Sequence, residues 1–452
     1  MRSLFVAFSL ILGAAGGAGA HNIYYGNFHA HTNVSDGIGT PEEAYAYARD
    51  VAGIDILALT DHTHMLTATE WVDLGDAADQ YNEDGVFIAL RAQEFGILND
   101  FGHINIFGVP YRNPYATTNL PATYNFILDN NGIGSFCHPN PSYGTWFDGF
   151  NFLSSFVESM KGIEMRCGLA TNNYTDEVTY ALDKGWKLAF FGNQDNHQGM
   201  WGNQQNTNDG GAIYLTGVLA DNLTKDEVLD ALRARRFFCQ EEDPPGDRIK
   251  LWFWANGHDM GSTFETPGAV TFTAHAEAVN GVSLFNRGEL FRDGVLLDSQ
   301  VLIDTTIDYE YEDVIAEGES HYYYLRVRQV DGDFAWSAPV WVQQADISAA
   351  PEPIASGSRV RLLPTSPNPF FPRTQISYES PGVLEGPIEL AIHDIAGRRV
   401  RNLGLVPATT GVHRLTWDGR DDRGNILASG IYLIRLRTDR GQVDSQRILL
   451  TH

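Results

Sequence analysis

The sequence predicts a multidomain chain, with an α/β unit first and two all-β units after it. Three observations carry this. At 452 residues the chain is too long for one core. From Ile23 to about Val218, short apolar runs alternate with helical patterns. Beyond Pro244-Pro245-Gly246 the pattern becomes polar–apolar alternation broken by Gly-rich turns, as in antiparallel sandwiches. Hydrophobic residues make up 43% of the chain and charged ones 19%, so it can bury cores and is not a disordered polyampholyte.

Residues 1–20, MRSLFVAFSLILGAAGGAGA, read as an export signal. Arg2 gives a positive end, Leu4–Leu12 is apolar except for Ser9, and Ala18-Gly19-Ala20 is a small-residue cleavage site. No later segment has the length of apolar sequence a bilayer needs, so no membrane span is expected. The expected location is secreted, periplasmic or cell-surface. Export brings disulfide chemistry within reach. Cys137, Cys167 and Cys239 are nevertheless too few for a disulfide scaffold, leaving room for one pair and one free thiol.

Residues 21–246 hold seven apolar runs: Tyr24–Ala30, Ile54–Leu59, Val86–Leu90, His103–Phe107, Ile133–Cys137, Gly162–Met165 and Leu188–Phe191. Helical stretches lie between them, such as Pro41–Val51, with Thr40 to cap and Pro41 fitting the first turn. Leu223–Arg235 reads as a further helix opened by a Thr224/Glu227 capping box. Strand–helix alternation implies a parallel sheet or barrel. Residues 247–345 predict a sandwich with strands at Lys250–Ala255, Ala269–Ala276, Tyr322–Val330 and Val340–Gln343. Residues 346–358 read as a linker and 359–452 as another all-β module. That last module has 13 Arg, no Lys and 9 acidic residues, which sets it apart from the rest of a chain whose net charge is −26. So acidic a surface argues against non-specific nucleic-acid binding.

Metal-binding side chains recur at the ends of the apolar runs. The first gives His29-Ala30-His31, then Asp36; the second Thr60-Asp61-His62; the third Glu94. The fourth starts at His103, the fifth ends Cys137-His138-Pro139, and the seventh ends Asp195-Asn196-His197. Residues two apart on a strand share a face, so His29 pairs with His31 and Asp195 with His197. In α/β topologies, strand ends converge where active sites gather. Mixed imidazole and carboxylate ligands suit Zn²⁺, Mn²⁺ or Fe²⁺.

These motifs, His29-x-His31-x4-Asp36-Gly37, Thr60-Asp61-His62, Glu94, His138-Pro139 and Asp195-x-His197, resemble those of the PHP (polymerase and histidinol phosphatase) metallohydrolases. The phrases FHAHTNVSDG, LALTDHTH, GHINIFG, SFCHPNP and NQDNHQGMWG extend the resemblance to the secreted carbaryl-hydrolase type (CehA/McbA) over residues 22–345. The resemblance implies a distorted (β/α)7 barrel, in agreement with the seven apolar runs. It implies two or three divalent ions: His29, His31, Glu94 and Asp195 on the first; Asp36, His62 and His197 on the second; Glu94, His103 and His138 on a third. Catalysis would rest on Asp61, Glu94, Asp195 and His197, with Asp61 orienting a ligand histidine through its ring N–H. His64 is expected at the rim. Three divalent cations bring about +6 against about −3 from the carboxylates, a site that attracts a small anionic ester. Arg91 and Arg166 are candidates to touch it.

The expected activity is phosphate mono- or diester hydrolysis by a metal-bound hydroxide, with nucleotides or nucleic-acid ends among the candidate substrates. Two other readings stay open: carbamate, ester or amide hydrolysis, and a non-catalytic metal-binding surface protein. In the tail, Ser366–Phe370, Ile392–Arg398, Thr416–Arg420 and Ala428–Tyr432 resemble FlgD-like Ig domains and type IX secretion sorting domains, implying export or cell-surface machinery as a partner. Ile431–Arg437 reads as an edge strand.

Overall fold

A computed structural model describes residues 21–115, 119–168, 172–205, 212–243, 247–344, 361–363, 365, 368, 370–371, 373–380, 388–394, 398–406, 411–438 and 443–451. The expected export segment, the linker 346–358 and the Pro244–Gly246 break lie outside them, as do parts of the tail motifs. The chain divides into two compact units, Met1–Asp346 and Ile347–His452, and is built mostly of β-strands in several sheets.

In the first unit each of the seven apolar runs contains or overlaps a strand. They are β1 (Asn22–Asn27), β2 (Ile56–Leu59), β3 (Ile88–Ile97), β4 (Gly102–Phe107), β5 (Ile133–Phe136), β6 (Met160–Cys167) and, after the two-residue β7 (Asn172–Asn173), β8 (Ala189–Asn193). The pairs β1–β2, β2–β3, β5–β6 and β6–β8 are parallel. A parallel bridge between Ala30 and Asn196 joins the continuations of β1 and β8.

The sheet departs from a regular (β/α)7 succession. β4 runs antiparallel to both β3 and β5, because the few residues between Ile97 and Gly102 can close a hairpin but cannot hold a crossover helix. Two further strands, β9 (Ile213–Ala220) and β10 (Phe237–Glu242), add antiparallel ladders beyond β1. The helix Pro41–Tyr47 starts at Thr40, whose Oγ1 accepts from Glu43 N at 3.2 Å. Near the expected Thr224 box only half forms: Thr224 caps Glu227 N, but the Glu227 carboxylate accepts from Asn222 N at 2.6 Å instead of from the cap residue.

The sandwich strands are β11 (Ile249–Ala255), β12 (His258–Asp259), β13 (Thr263–Thr266), β14 (Ala269–Ala278), β15 (Phe285–Arg292), β16 (Val295–Gln300), β17 (Thr306–Val314), β18 (Ser320–Gln329), β19 (Phe334–Trp336) and β20 (Val340–Gln344). Hydrogen bonding crosses the position expected as a domain boundary, since β10 pairs with β19 and carries the first sheet into β18, β20 and β13. The core crosses it too: Phe28, Phe191 and Phe237 belong to one buried cluster with Phe253, Phe272 and Tyr323. All the sandwich pairings are antiparallel except β13–β20.

In the turn between β18 and β19, Asp333 is 5% exposed and accepts from Asp243 N at 2.7 Å. Burial, with Asp331, Glu241 and Asp243 adding like charge, pushes its carboxyl up to about 7. An unfolded Asp titrates near 3.9. Between these values the unfolded chain loses its proton first, so stability falls as pH rises from about 4 to about 7 and stays at the lower level above. Asp333→Asn keeps an acceptor for Asp243 N and removes this loss. The variant is expected to match the wild type in urea unfolding at pH 4 and to exceed it by ~1–2 kcal/mol at pH 8, a figure already discounted for solvent screening.

In the second unit, β21 (Arg361–Leu362), β22 (Thr374–Ser380) and β25 (Gly411–Trp417) form one sheet. β23 (Ile388–Asp394), β24 (Arg399–Val406), β26 (Gly430–Thr438) and β27 (Val443–Leu450) form the other. Ile376, Tyr378, Ile392, Trp417 and Ile434 fill the core. Ile431–Arg437 is not an edge: β26 lies between β23 and β27. No helix among the described residues is long and apolar enough to cross a membrane.

Candidate metal centre

The residues that leave β1 keep the strand's alternation. Phe28 packs into the apolar core, while His29 and His31 turn the other way, fully buried, with ring centroids 5.3 Å apart. After β2, His62 bridges to Glu94 of β3, and Thr63 N donates to Glu94 O at 2.8 Å. His103, at the start of its strand rather than the end, reaches the same place because β4 is antiparallel: its first residues pair with the ends of β3 and β5.

Glu94, 1% exposed, is the hub. Its Oε1 lies 2.8 Å from His103 Nδ1, 3.1 Å from His138 Nε2 and 3.2 Å from His29 Nε2. Its Oε2 lies 2.9 Å from His62 Nδ1 and 3.3 Å from His31 Nε2. Asp195 Oδ1 is 3.2 Å from both His29 Nε2 and His31 Nε2 and 3.6 Å from His197 Nδ1. Asp36 closes the outer side, 3.2 Å from His197 Nε2, 3.5 Å from His62 Nε2 and 3.7 Å from His31 Nδ1. The nine side chains expected around metal thus form one cluster.

Their grouping differs in part from the expected sets. His31, Asp36, His62 and His197 offer converging atoms, as do His29, His138 and Asp195, and also His62, Glu94 and His103. A further donor, Cys137 Sγ, falls with His29 and Glu94. Burial pushes its thiol well up, which makes it a poor ligand.

The donor set fits divalent cations. His29 Nε2, His31 Nε2, His62 Nδ1 and Glu94 Oε2 are buried and have no hydrogen-bond partner among the described residues. Ligands about 2.0–2.1 Å from a tetrahedral ion stand about 3.3 Å apart, close to the 2.9–3.3 Å that separates these three histidine nitrogens from the Glu94 carboxylate oxygens.

The charges point the same way. Burial alone would push His29 down, yet the carboxylates of Asp195, Glu94 and Glu164 hold it well above its ordinary range. His31 is pushed up to about 10 by Asp195 and Glu94 against its own burial. His138 is raised by Glu94 in the same way. Glu94 and Asp195, despite burial, are held below the usual carboxylate range by the histidines around them. Burial lowers His103. The buried carboxylates demand positive charge, and divalent ions supply it while displacing protons.

Several expectations need correction. Asp61 bonds to no ring N–H among the described residues: its Oδ1 accepts from Thr32 N at 2.8 Å and Ser35 Oγ at 2.6 Å, and its Oδ2 from Thr32 Oγ1 at 2.9 Å, bracing the loop after His31. Arg91 stacks on Trp71 at 4.1 Å and donates to Trp71 O. Arg166 pairs with Glu241 at 2.8 Å and stacks on Trp336 at 4.6 Å. Both guanidiniums are thus engaged by groups that are not among the nine cluster residues. Cys137, Cys167 and Cys239 are buried, and no disulfide joins them among the described residues. His64 is exposed, its ring 5.3 Å from that of His62.

Glu164 of β6 was missed. It is fully buried, its Oε1 2.8 Å from His29 Nδ1. The signal for it is a carboxylate inside the otherwise apolar run Gly162–Met165.

Residues 383–442 match the FlgD Ig-like domain family. An uncharacterized protein of Chlamydia pneumoniae is 30% identical over 28% of this chain, and one of Chlamydia muridarum is 28% identical over the same share. In both cases the match spans 22% of the relative's own length. Among solved structures, a two-domain protein from Bacteroides vulgatus containing a predicted PHP-like metal-dependent phosphoesterase is 16% identical, with a TM-score of 0.41 over 71% of this chain and 95% of its own. Latent PorU from Porphyromonas gingivalis is 16% identical, with a TM-score of 0.19 over 45% of this chain and 20% of its own.

Proposed function

We propose that the chain is a metal-dependent hydrolase, a phosphoesterase of PHP type acting on small phosphate mono- or diesters. The single observation that carries this is the nine-residue cluster around Glu94, whose buried ligand atoms converge in groups and in part make no hydrogen bond among the described residues. Bound Zn²⁺, Mn²⁺ or Fe²⁺ would supply Lewis acidity and a water of lowered pKa. The protein's own part is to hold and to orient. His29, His31 and Glu94 form the dry floor, at most 1% exposed. The Asp36 and His197 side chains, 44% and 21% exposed, mark the side from which substrate arrives. Asp61 keeps the loop between His31 and Asp36 in place through Thr32 and Ser35.

Carbamate, ester or amide hydrolysis is the second reading. It is favoured by one observation: Arg91 and Arg166, the two cations expected to clamp a phosphate, are engaged by Trp71 and by Glu241 and Trp336. Assays with p-nitrophenyl phosphate, bis-p-nitrophenyl phosphate and 1-naphthyl carbamates separate the two. Chelation is expected to abolish the activity found, and added Zn²⁺, Mn²⁺ or Fe²⁺ to restore it. Full metal content with no turnover on this panel would leave a metal-binding surface protein. We also propose secretion, with the second unit as the part that meets export or surface machinery; its match to FlgD Ig-like domains supports this.

A further inference from the structure

We propose that Glu164 is a positioning residue that fixes His29, and with it His138, for metal binding; this rests on the metal-centre reading above. Both carboxylate oxygens are committed. Oε1 accepts from His29 Nδ1 at 2.8 Å and from Asn193 Nδ2 at 3.0 Å. Oε2 accepts from the backbone N of His138 at 2.6 Å. Asn193 in turn accepts from Phe28 N at 2.9 Å, next to His29. One carboxylate therefore ties β6 to the ends of β1, β5 and β8.

Two consequences follow from the chemistry of imidazole. A proton held on Nδ1 by Glu164 leaves the lone pair on Nε2, the atom 3.2 Å from both Glu94 and Asp195. Without Glu164 the ring is free to turn and to carry its proton on the ligand nitrogen. The second consequence concerns His138, whose backbone has φ +29, a value few non-glycine residues adopt. Glu164 Oε2 anchors that residue's N–H, so its ring stays beside Glu94 Oε1. Among the described residues, no other carboxylate bonds to a ring nitrogen of His29 on the side away from the cluster.

The test uses the full chain and three measurements: competition titration with Zn²⁺, the visible spectrum of the Co²⁺-loaded protein, and ¹⁵N shifts of the His29 ring. In the wild type His29 is expected to show the Nδ1–H tautomer. Glu164→Ala is expected to weaken the tightest metal by about 10–100-fold, change the Co²⁺ spectrum and lose that tautomer. Glu164→Gln, which can keep its carbonyl oxygen on Nδ1 but then turns an NH₂ donor toward the His138 N–H, is expected to recover the tautomer and only part of the affinity. If Glu164→Ala does not fold, Glu164→Asp draws the acceptor back by about 1.5 Å and is expected to shift the same readouts in the same direction. Folded Ala or Asp variants with wild-type affinity, spectrum and tautomer would overturn the role of Glu164. A wild type that takes up no metal would overturn the metal centre itself, a separate result.

Discussion

Glu94→Gln is expected to lower turnover by at least about 10³-fold and to strip metal from the protein, while far-UV circular dichroism stays unchanged. The substitution conserves volume but removes the one charge that five imidazoles face. Three of these, His29, His62 and His103, are the groups that hold Glu94 ionised. A neutral amide replaces an anionic ligand with a weak carbonyl donor and turns an N–H group toward imidazole nitrogens that themselves need a Lewis acid. A loss of 10³ corresponds to about 4 kcal/mol of transition-state stabilisation, the scale on which removal of a charged ligand acts. Activity and metal content are expected to fall together. A variant that keeps both would mean that the cluster is not the reaction centre.

Gly96→Val is expected to cost about 3–4 kcal/mol of stability, read as a lower urea midpoint, and to disturb the site as well. Gly96 has φ +129, a conformation closed to β-branched residues. A Cβ built there would stand 2.2 Å from Gly102 O, a backbone atom that can yield only by moving the hairpin. That hairpin aligns Glu94, two residues upstream, with His103, which is opposite Gly96 in the ladder. Metal affinity at the His103 position is therefore expected to drop along with stability. A control at Gly53, where a Cβ would meet nothing within 4 Å, carries only the penalty of its φ of +61. Equal effects at the two positions would refute the clash at Gly96.

Much of the site was legible because its signal is local. A buried strand has an apolar run, and a polar residue just past the run's end stands out. His31, His62, Glu94, His138 and Asp195 announce themselves this way, and His29 stands out one residue before the end of the first run. What stayed hidden is what pairing decides. That β4 reverses direction depends on a hairpin that periodicity does not report, and only the reversal explains His103. Glu164 was hidden because nothing in the run Gly162–Met165 tells whether a carboxylate inside it points at solvent or at a histidine from another strand. Asp61 and the two arginines failed for the opposite reason. Their proximity to strand ends was read as proximity to the centre, whereas Thr32, Trp71 and Glu241 had already claimed them. The composition break near residue 246 was real, yet it marks a change of strand pattern inside one core.

Because β10 and β19 share a ladder, and Trp336 on that ladder covers Arg166 beside the β6 end, the region that carries the histidine cluster has a seam it cannot shed. The segment through Gln344 shares its sheet and buried core with the strands that carry the cluster, so a fragment ending at the compositional break is expected to lose part of that core. Excision there would leave the β10 edge unpaired and strip the Arg166 guanidinium of the Trp336 ring it stacks on.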